Sequence, residues 1–214
     1  MIFTSSVSEL LLLVPVLVFA FTIHELCHGL MAYMLGDSTA KRDGRLSLNP
    51  IRHIDPLGML LILLVGFGWA KPVMVNPHNL KNPKIDMALI AIAGPISNFI
   101  MAFISLLIWH PLFFSVMNTQ SYVTQVLITF ASINVMLGVF NLIPIPPLDG
   151  SKVLAGLLPD NLYYKFSHLG RYGMIILIIF MITGATSYIV IPITGAIFNL
   201  LLTTVMSIYG WLLF

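Results

Sequence analysis

Two histidines four residues apart, His24 and His28, have the clearest capacity for chemistry in this chain. Side chains four residues apart lie on one face of a helix, about one turn from each other, so both imidazoles can bind one zinc ion. Glu25 follows His24 directly and can reach a water molecule on that ion, where its carboxylate would act as a general base. The pattern therefore predicts a zinc site that activates water for hydrolysis.

A third ligand has to come from elsewhere in the chain, because a catalytic zinc ion takes three protein ligands and leaves its fourth position to water. Only Glu25 and Asp149 are acids in apolar surroundings. An acid at the centre of a membrane helix costs about 2.5–3.5 kcal/mol, and a bound cation would offset that cost. Asp149 is the best candidate, with capping of a short helix that begins near Ser151 as the alternative. We expect one zinc ion per chain.

The composition of the 214 residues is that of an integral membrane protein. Hydrophobic residues make up 58% of the chain and charged residues 8%, whereas soluble domains carry about 25% charged residues. The net charge of +2 is too small to indicate a nucleic-acid partner. No hydrophilic stretch is long enough to fold separately, so we expect one domain over residues 1–214, embedded in the lipid bilayer.

The elements that must position the reactive residues are long apolar helices, because a transmembrane helix needs roughly 20 apolar residues. We expect an all-α polytopic membrane protein with about five transmembrane helices. The predicted spans are 8–35, 85–108, 122–143, 173–183 and 188–214. Residues 8–160 would form the catalytic core, and residues 171–214 a C-terminal helix pair.

Shorter segments between the first two spans have a different character. Residues 57–69 are apolar but too short to cross a membrane, and their glycines indicate a re-entrant or interfacial segment. Alternating side chains at 46–48 and 73–75 predict two short strands, which would form a small β element on the cytoplasmic side. The edge of such an element is one that an extended substrate could join.

Sidedness follows from the basic residues, since all ten Lys and Arg side chains fall on one side of the five-span arrangement. The positive-inside rule makes that side cytoplasmic. It predicts a multi-pass protein of the cell membrane with its N-terminus outside, its C-terminus in the cytoplasm and its active site toward the cytoplasmic side.

Three segments carry a resemblance to a known family. They are His24-Glu25-Leu26-Cys27-His28, Gly94-Pro95-Ile96-Ser97-Asn98 and Asn141-Leu142-Ile143-Pro144-Ile145-Pro146-Pro147-Leu148-Asp149-Gly150. In this order they resemble the signatures of the site-2 protease family of intramembrane zinc metalloproteases, and most of all its short bacterial members without PDZ or CBS domains. The resemblance implies zinc ligation by His24, His28 and Asp149. It also implies catalysis by Glu25 and a place in the active-site lining for Asn98.

The activity that the resemblance implies is hydrolysis of peptide bonds in or near the transmembrane segments of membrane protein substrates. Asn98 would then donate to the oxyanion or to the substrate backbone, with an interhelical hydrogen bond as the alternative. Two other classes of function are open. An ion- or proton-coupled transporter would also hold acids and histidines in the membrane, but it predicts internal repeats that the sequence lacks. A catalytically silent relative that binds membrane partners would have lost a ligand, and all expected groups are present.

Overall fold

Helices dominate the structure, a computed structural model that describes residues 7–65, 68–115 and 121–212. The α-helices within these ranges are α1 (Val7–Met34), α2 (Thr39–Arg42), α3 (Pro56–Val65), α4 (Pro83–Ser115), α5 (Tyr122–Asn141), α6 (Asp149–Leu157), α7 (Asp160–Leu169), α8 (Gly173–Ile182) and α9 (Ala185–Leu212). The prediction of an all-α membrane fold is confirmed.

Four of the described helices, α1, α4, α5 and α9, are long and apolar enough to cross a membrane. The remaining predicted span, 173–183, corresponds to α8, which has 10 residues. A spanning helix needs roughly twice that length, so the described residues do not confirm a count of five.

The centre of the bundle is α4, which packs against α1, α5, α6 and α9. Apolar tails of lipid give helices little reason to associate, so close van der Waals packing has to hold them together. Small residues allow that approach, and four alanines at the helix contacts are fully buried, namely Ala20, Ala32, Ala102 and Ala131. One apolar cluster joins α1, α3 and α5, and a second joins α4, α5 and α9.

The direction of α9 differs from the sequence-based prediction. The Tyr209 hydroxyl donates to the Leu107 carbonyl at 2.8 Å, and the Tyr209 ring stacks on His110. The end of α9 therefore lies beside the end of α4. Because α1 and α4 are antiparallel, with His24 contacting Asn98 and His28 contacting Ile90, this is also the end of the bundle at which α1 begins. The predicted placement of the C-terminus opposite the N-terminus is thus wrong, since the short α8 does not carry the chain across the bundle.

Residues 43–80, which we call the cap segment, cover the second half of α1. Within the described part of the chain no β-strand occurs, so the predicted β element does not form: residues 46–48 are bends, and residues 71–76 have no regular secondary structure. Other groups occupy the backbone there. The Val73 amide donates to Glu25, and the Arg45 guanidinium donates to the carbonyls of Arg52 and Lys71.

The apolar stretch at 57–69 begins as α3, and residues 68–69 lie back against the start of that helix. A Cβ on Gly58 would clash with the backbone of Trp69, which shows how closely the returning chain approaches. This is the shape that a re-entrant segment has, and its depth in the membrane stays a prediction.

Candidate metal centre

Three buried side chains from α1 and α6 meet beside α4. His24 and His28 lie one turn apart on α1, and Asp149 is the first residue of α6. A proline-rich bend at 142–148, with a cis bond between Pro146 and Pro147, leads the chain from α5 to this point. The residue in the N-cap position of α6 is Leu148, so the alternative of Asp149 as a helix cap is wrong.

The ligand atoms of these side chains form a nearly equilateral triangle. The Nε2 atoms of His24 and His28 are 3.0 Å apart, and they lie 3.1 Å and 3.0 Å from Oδ2 of Asp149. Bonds of about 2.0 Å to a tetrahedral zinc ion keep ligand atoms about 3.3 Å apart. The measured sides are slightly shorter than this, so the triangle is close to the size that such an ion requires.

The tautomer of His24 is fixed by a chain of hydrogen bonds that ends on a backbone carbonyl. The Phe130 carbonyl can only accept, so the Asn134 amide nitrogen donates to it at 2.8 Å. Asn134 then accepts from Asn98 at 2.8 Å through its side-chain oxygen. The remaining Asn98 oxygen lies 2.6 Å from Nδ1 of His24, which must therefore carry the proton.

The second imidazole has the same tautomer, because Nδ1 of His28 donates to the Ile90 carbonyl at 2.7 Å. In neutral rings both Nε2 atoms then present lone pairs to each other and to the Asp149 carboxylate. A single proton could bridge only one pair of these three atoms, whereas one cation can bind all three. Two imidazoles and a carboxylate are a donor set that zinc prefers, so the residues fit the ion.

Glu25 is half-buried and stands outside the triangle. One of its oxygens, Oε2, accepts the Val73 amide of the cap segment at 2.8 Å. Its position beside the ligand His24 suits a base that acts next to the metal without binding it.

Asn98 is fully buried, and both halves of its amide have protein partners, His24 on α1 and Asn134 on α5. The interhelical hydrogen bond that sequence reasoning left as the alternative is present. In this arrangement Asn98 orients a candidate ligand, as residues that hydrogen-bond metal-binding histidines commonly do. The predicted contact of Asn98 with substrate stays a prediction.

Gly94 has a steric role that sequence reasoning missed. A Cβ at this position would lie 2.5 Å from Nε2 of His28 and 2.7 Å from Cε1 of His24. Only glycine lets α4 approach the two imidazoles this closely. The signal was available in the sequence, since a Gly-Pro pair in the middle of an apolar helix needs a packing reason.

We expect Asn98→Ala to weaken zinc binding by about 10–100-fold, the usual cost of losing a partner that orients a ligand. The matched control is Asn141→Ala, because the Asn141 side chain donates to the Leu137 carbonyl of its own helix and bonds to neither histidine among the described residues. Zinc affinity of the purified variants, measured by competition with a chelator, checks the prediction. Equal affinities of the two variants would show that the Asn98 contact does not support the site.

Similarity to known proteins extends over most of this chain. A sequence profile described as Peptidase family M50 matches residues 112–183, a range that includes Asp149. "Putative zinc metalloprotease YwhC" of Bacillus subtilis is 40% identical over 195 residues, which are 86% of this chain and 86% of YwhC. Rip2 of Mycolicibacterium smegmatis, named in the same way, is 26% identical over 76% of this chain and 63% of its own length.

A third relative comes from an archaeon. "Zinc metalloprotease MJ0392" of Methanocaldococcus jannaschii is 33% identical over 120 residues, covering 55% of this chain and 34% of its own. No solved structure shows significant similarity to the chain.

Proposed function

The chain belongs to peptidase family M50, the site-2 protease family, and on that basis we propose that it is a zinc endopeptidase acting on peptide bonds in or near the transmembrane segments of membrane proteins. The observation that carries the proposal is the triangle of His24, His28 and Asp149, in which three electron-rich atoms face one another while Nδ1 of each histidine is engaged elsewhere. These residues hold one zinc ion per chain.

A zinc ion held by these residues would provide Lewis-acid chemistry toward the scissile carbonyl and would make the attacking water easier to deprotonate. The remaining steps belong to the protein. Glu25 accepts the proton of the attacking water and then delivers it to the nitrogen that leaves. Asn98 and the Ile90 carbonyl hold the protons on Nδ1 of the two histidines, so the opposite nitrogens stay free for the ion.

The partners in this proposal are membrane protein substrates within the lipid bilayer. A transmembrane helix hides its peptide bonds in its own hydrogen bonds, so the substrate has to unwind before Glu25 and the ion can reach one. The cap segment lies directly over Glu25, and it is the part of the chain that an unwound substrate strand would meet first.

Sidedness rests on the basic residues. Lys41 contacts Tyr33 near the end of α1, and Lys84 near the start of α4 pairs with Asp160 of α7 at 2.7 Å. These helix ends share one end of the bundle. The Lys and Arg residues of the chain all belong to segments at that end: Lys41, Arg42, Arg45, Arg52, Lys71, Lys81, Lys84, Lys152, Lys165 and Arg171. We assign this end, with the active site near it, to the cytoplasmic side of the cell membrane, and the start of α1 and end of α9 to the outside.

The competing functions have less support. A transporter requires a path for its cargo across the bundle, whereas His24, His28 and Asp149 converge on one point. A catalytically silent relative would lack one of the groups that the mechanism needs, and all of them are present.

The proposal is tested by comparing membrane fragments from cells with the wild-type chain and with Glu25→Gln. We expect fragments that contain a single transmembrane segment to accumulate with the variant, because their final cleavage is lost. Gly195→Ala is the control, since a Cβ there meets nothing within 4 Å, and its fragment profile should equal the wild type. Identical profiles for all three chains would contradict the proposed protease.

A further inference from the structure

The contact between Glu25 and the cap segment is not explained by folding of α1. The Val73 amide donates to Oε2 of Glu25 at 2.8 Å, across 48 residues of sequence. Charge-assisted hydrogen bonds of this kind are short and directional. One carboxylate oxygen is therefore engaged, and a base needs only the other one to accept a proton.

The chain on the N-terminal side of Val73 is fixed by Arg45. This guanidinium is buried and donates to the carbonyls of Arg52 and Lys71. In addition, the Lys71 amide donates to the His53 carbonyl at 2.9 Å. Lys71 is thus held at both its amide and its carbonyl, two residues before the amide that reaches Glu25.

The chain on the C-terminal side of Val73 is fixed by Asp37, which is fully buried. Its Oδ2 accepts the Asn76 amide at 2.7 Å. Its Oδ1 accepts the Asn79 side chain at 2.7 Å and both the amide and hydroxyl of Thr39, at 3.0 Å and 2.6 Å. Burial alone would raise the pKa of Asp37, but these hydrogen bonds outweigh it and lower the pKa, so the anchor is a carboxylate.

Side-chain packing holds the same segment against α1. Gly29 lies one turn after Glu25, and a Cβ there would come within 2.8 Å of the Leu46 side chain and 3.6 Å of Val73. The cap segment therefore lies flat on the face of α1 that carries the base, and its distance from that face is set by contact.

We propose that Asp37 and Arg45 are positioning residues, which anchor residues 71–76 so that the Val73 amide holds one oxygen of Glu25 and leaves the other to accept the proton of the attacking water. The inference rests on the proposed function, because it takes Glu25 as the base. In the step itself the free oxygen gains the proton of water and later passes it to the leaving nitrogen, while the Val73 amide keeps its hydrogen throughout.

A base that is misplaced by about 1 Å can lose about 10²-fold in rate. We therefore expect Asp37→Asn to lower kcat by about 10–100-fold. The amide nitrogen of the new side chain replaces a carboxylate oxygen and would face N–H donors of the cap segment, with which it cannot form a hydrogen bond. KM should stay within about twofold of wild type, and the zinc content should stay at one ion per chain. The matched control is Asp160→Asn, which alters an exposed aspartate of α7 outside the cap segment and should leave kcat unchanged.

A second pair of variants tests the amide directly. Val73→Pro removes the donor and should lower kcat to a similar extent, whereas Val73→Ala keeps the amide and should retain most of the activity. The assay is cleavage of a transmembrane peptide by the purified full chain in detergent, with zinc measured by elemental analysis. If Val73→Pro fails to fold, Asp37→Asn still carries the test.

Two results would overturn the inference. One is a kcat for Asp37→Asn equal to wild type, and the other is a loss of activity that only follows a loss of zinc or of folded protein. The proposed function fails in a distinguishable way, since the wild-type chain would then cleave no faster than Glu25→Gln.

Discussion

Replacement of Glu25 by glutamine is expected to slow cleavage of a transmembrane substrate by about 10²–10⁴-fold, the range that a lost general base typically costs. The glutamine side chain has the same shape, and its oxygen can still accept the Val73 amide. It cannot accept the proton of water at neutral pH. Because Glu25 lies outside the triangle of ligand atoms, the zinc content should stay at one ion per chain.

The measurement is a single-turnover cleavage assay with the purified chain in detergent, with zinc determined on the same samples. Gly195→Ala serves as the control for handling and folding, since its position faces open space. Retained activity in Glu25→Gln would remove this residue as the base. Loss of zinc together with activity would instead make Glu25 part of the metal site.

Much of the site could be predicted because its main determinants are local. The spacing of His24 and His28 places both imidazoles on one helix face whatever the rest of the fold does. The location of Asp149 is not local, since it lies 125 residues from His24. A carboxylate in apolar surroundings nevertheless needs a partner to offset its burial, and this cost singled it out.

The cap segment shows what local pattern could not supply. Alternation at 46–48 and 73–75 predicts strands, but a strand also needs a neighbouring strand to accept its backbone hydrogen bonds. Here Arg45 hydrogen-bonds the Lys71 carbonyl, and Glu25 hydrogen-bonds the Val73 amide. These backbone groups would have bonded to a neighbouring strand in a β-sheet. Asp37 was overlooked for the same reason, because its four donors come from residues that only the tertiary fold brings together.

The direction of α9 depends on whether the short helix before it crosses the membrane. The predicted span 173–183 has almost the same bounds as α8, Gly173–Ile182, and a helix of that length is too short to cross. One short helix changes the number of crossings by one, and this reverses the side on which the chain ends. The contact between Tyr209 and Leu107 places the ends of α4 and α9 side by side.

Asp149→Ala is expected to weaken zinc binding by more than the 10–100-fold that loss of a hydrogen-bonding partner costs, because it removes a ligand itself. It also removes the only negative charge in the triangle, since both histidines are neutral when they bind a metal. Two imidazoles one turn apart would remain, and they leave an ion with one protein ligand fewer than a catalytic site requires.

Elemental analysis of purified protein after dialysis against a weak chelator measures this effect. The matched control is Lys152→Ala, because the exposed Lys152 ammonium lies 3.6 Å from the other oxygen of Asp149, and its removal leaves all three ligand atoms in place. Full zinc occupancy in Asp149→Ala would exclude it from the ligand set. Equal losses in both variants would mean that the charge near the bend, rather than ligation by Asp149, determines how tightly the ion is held.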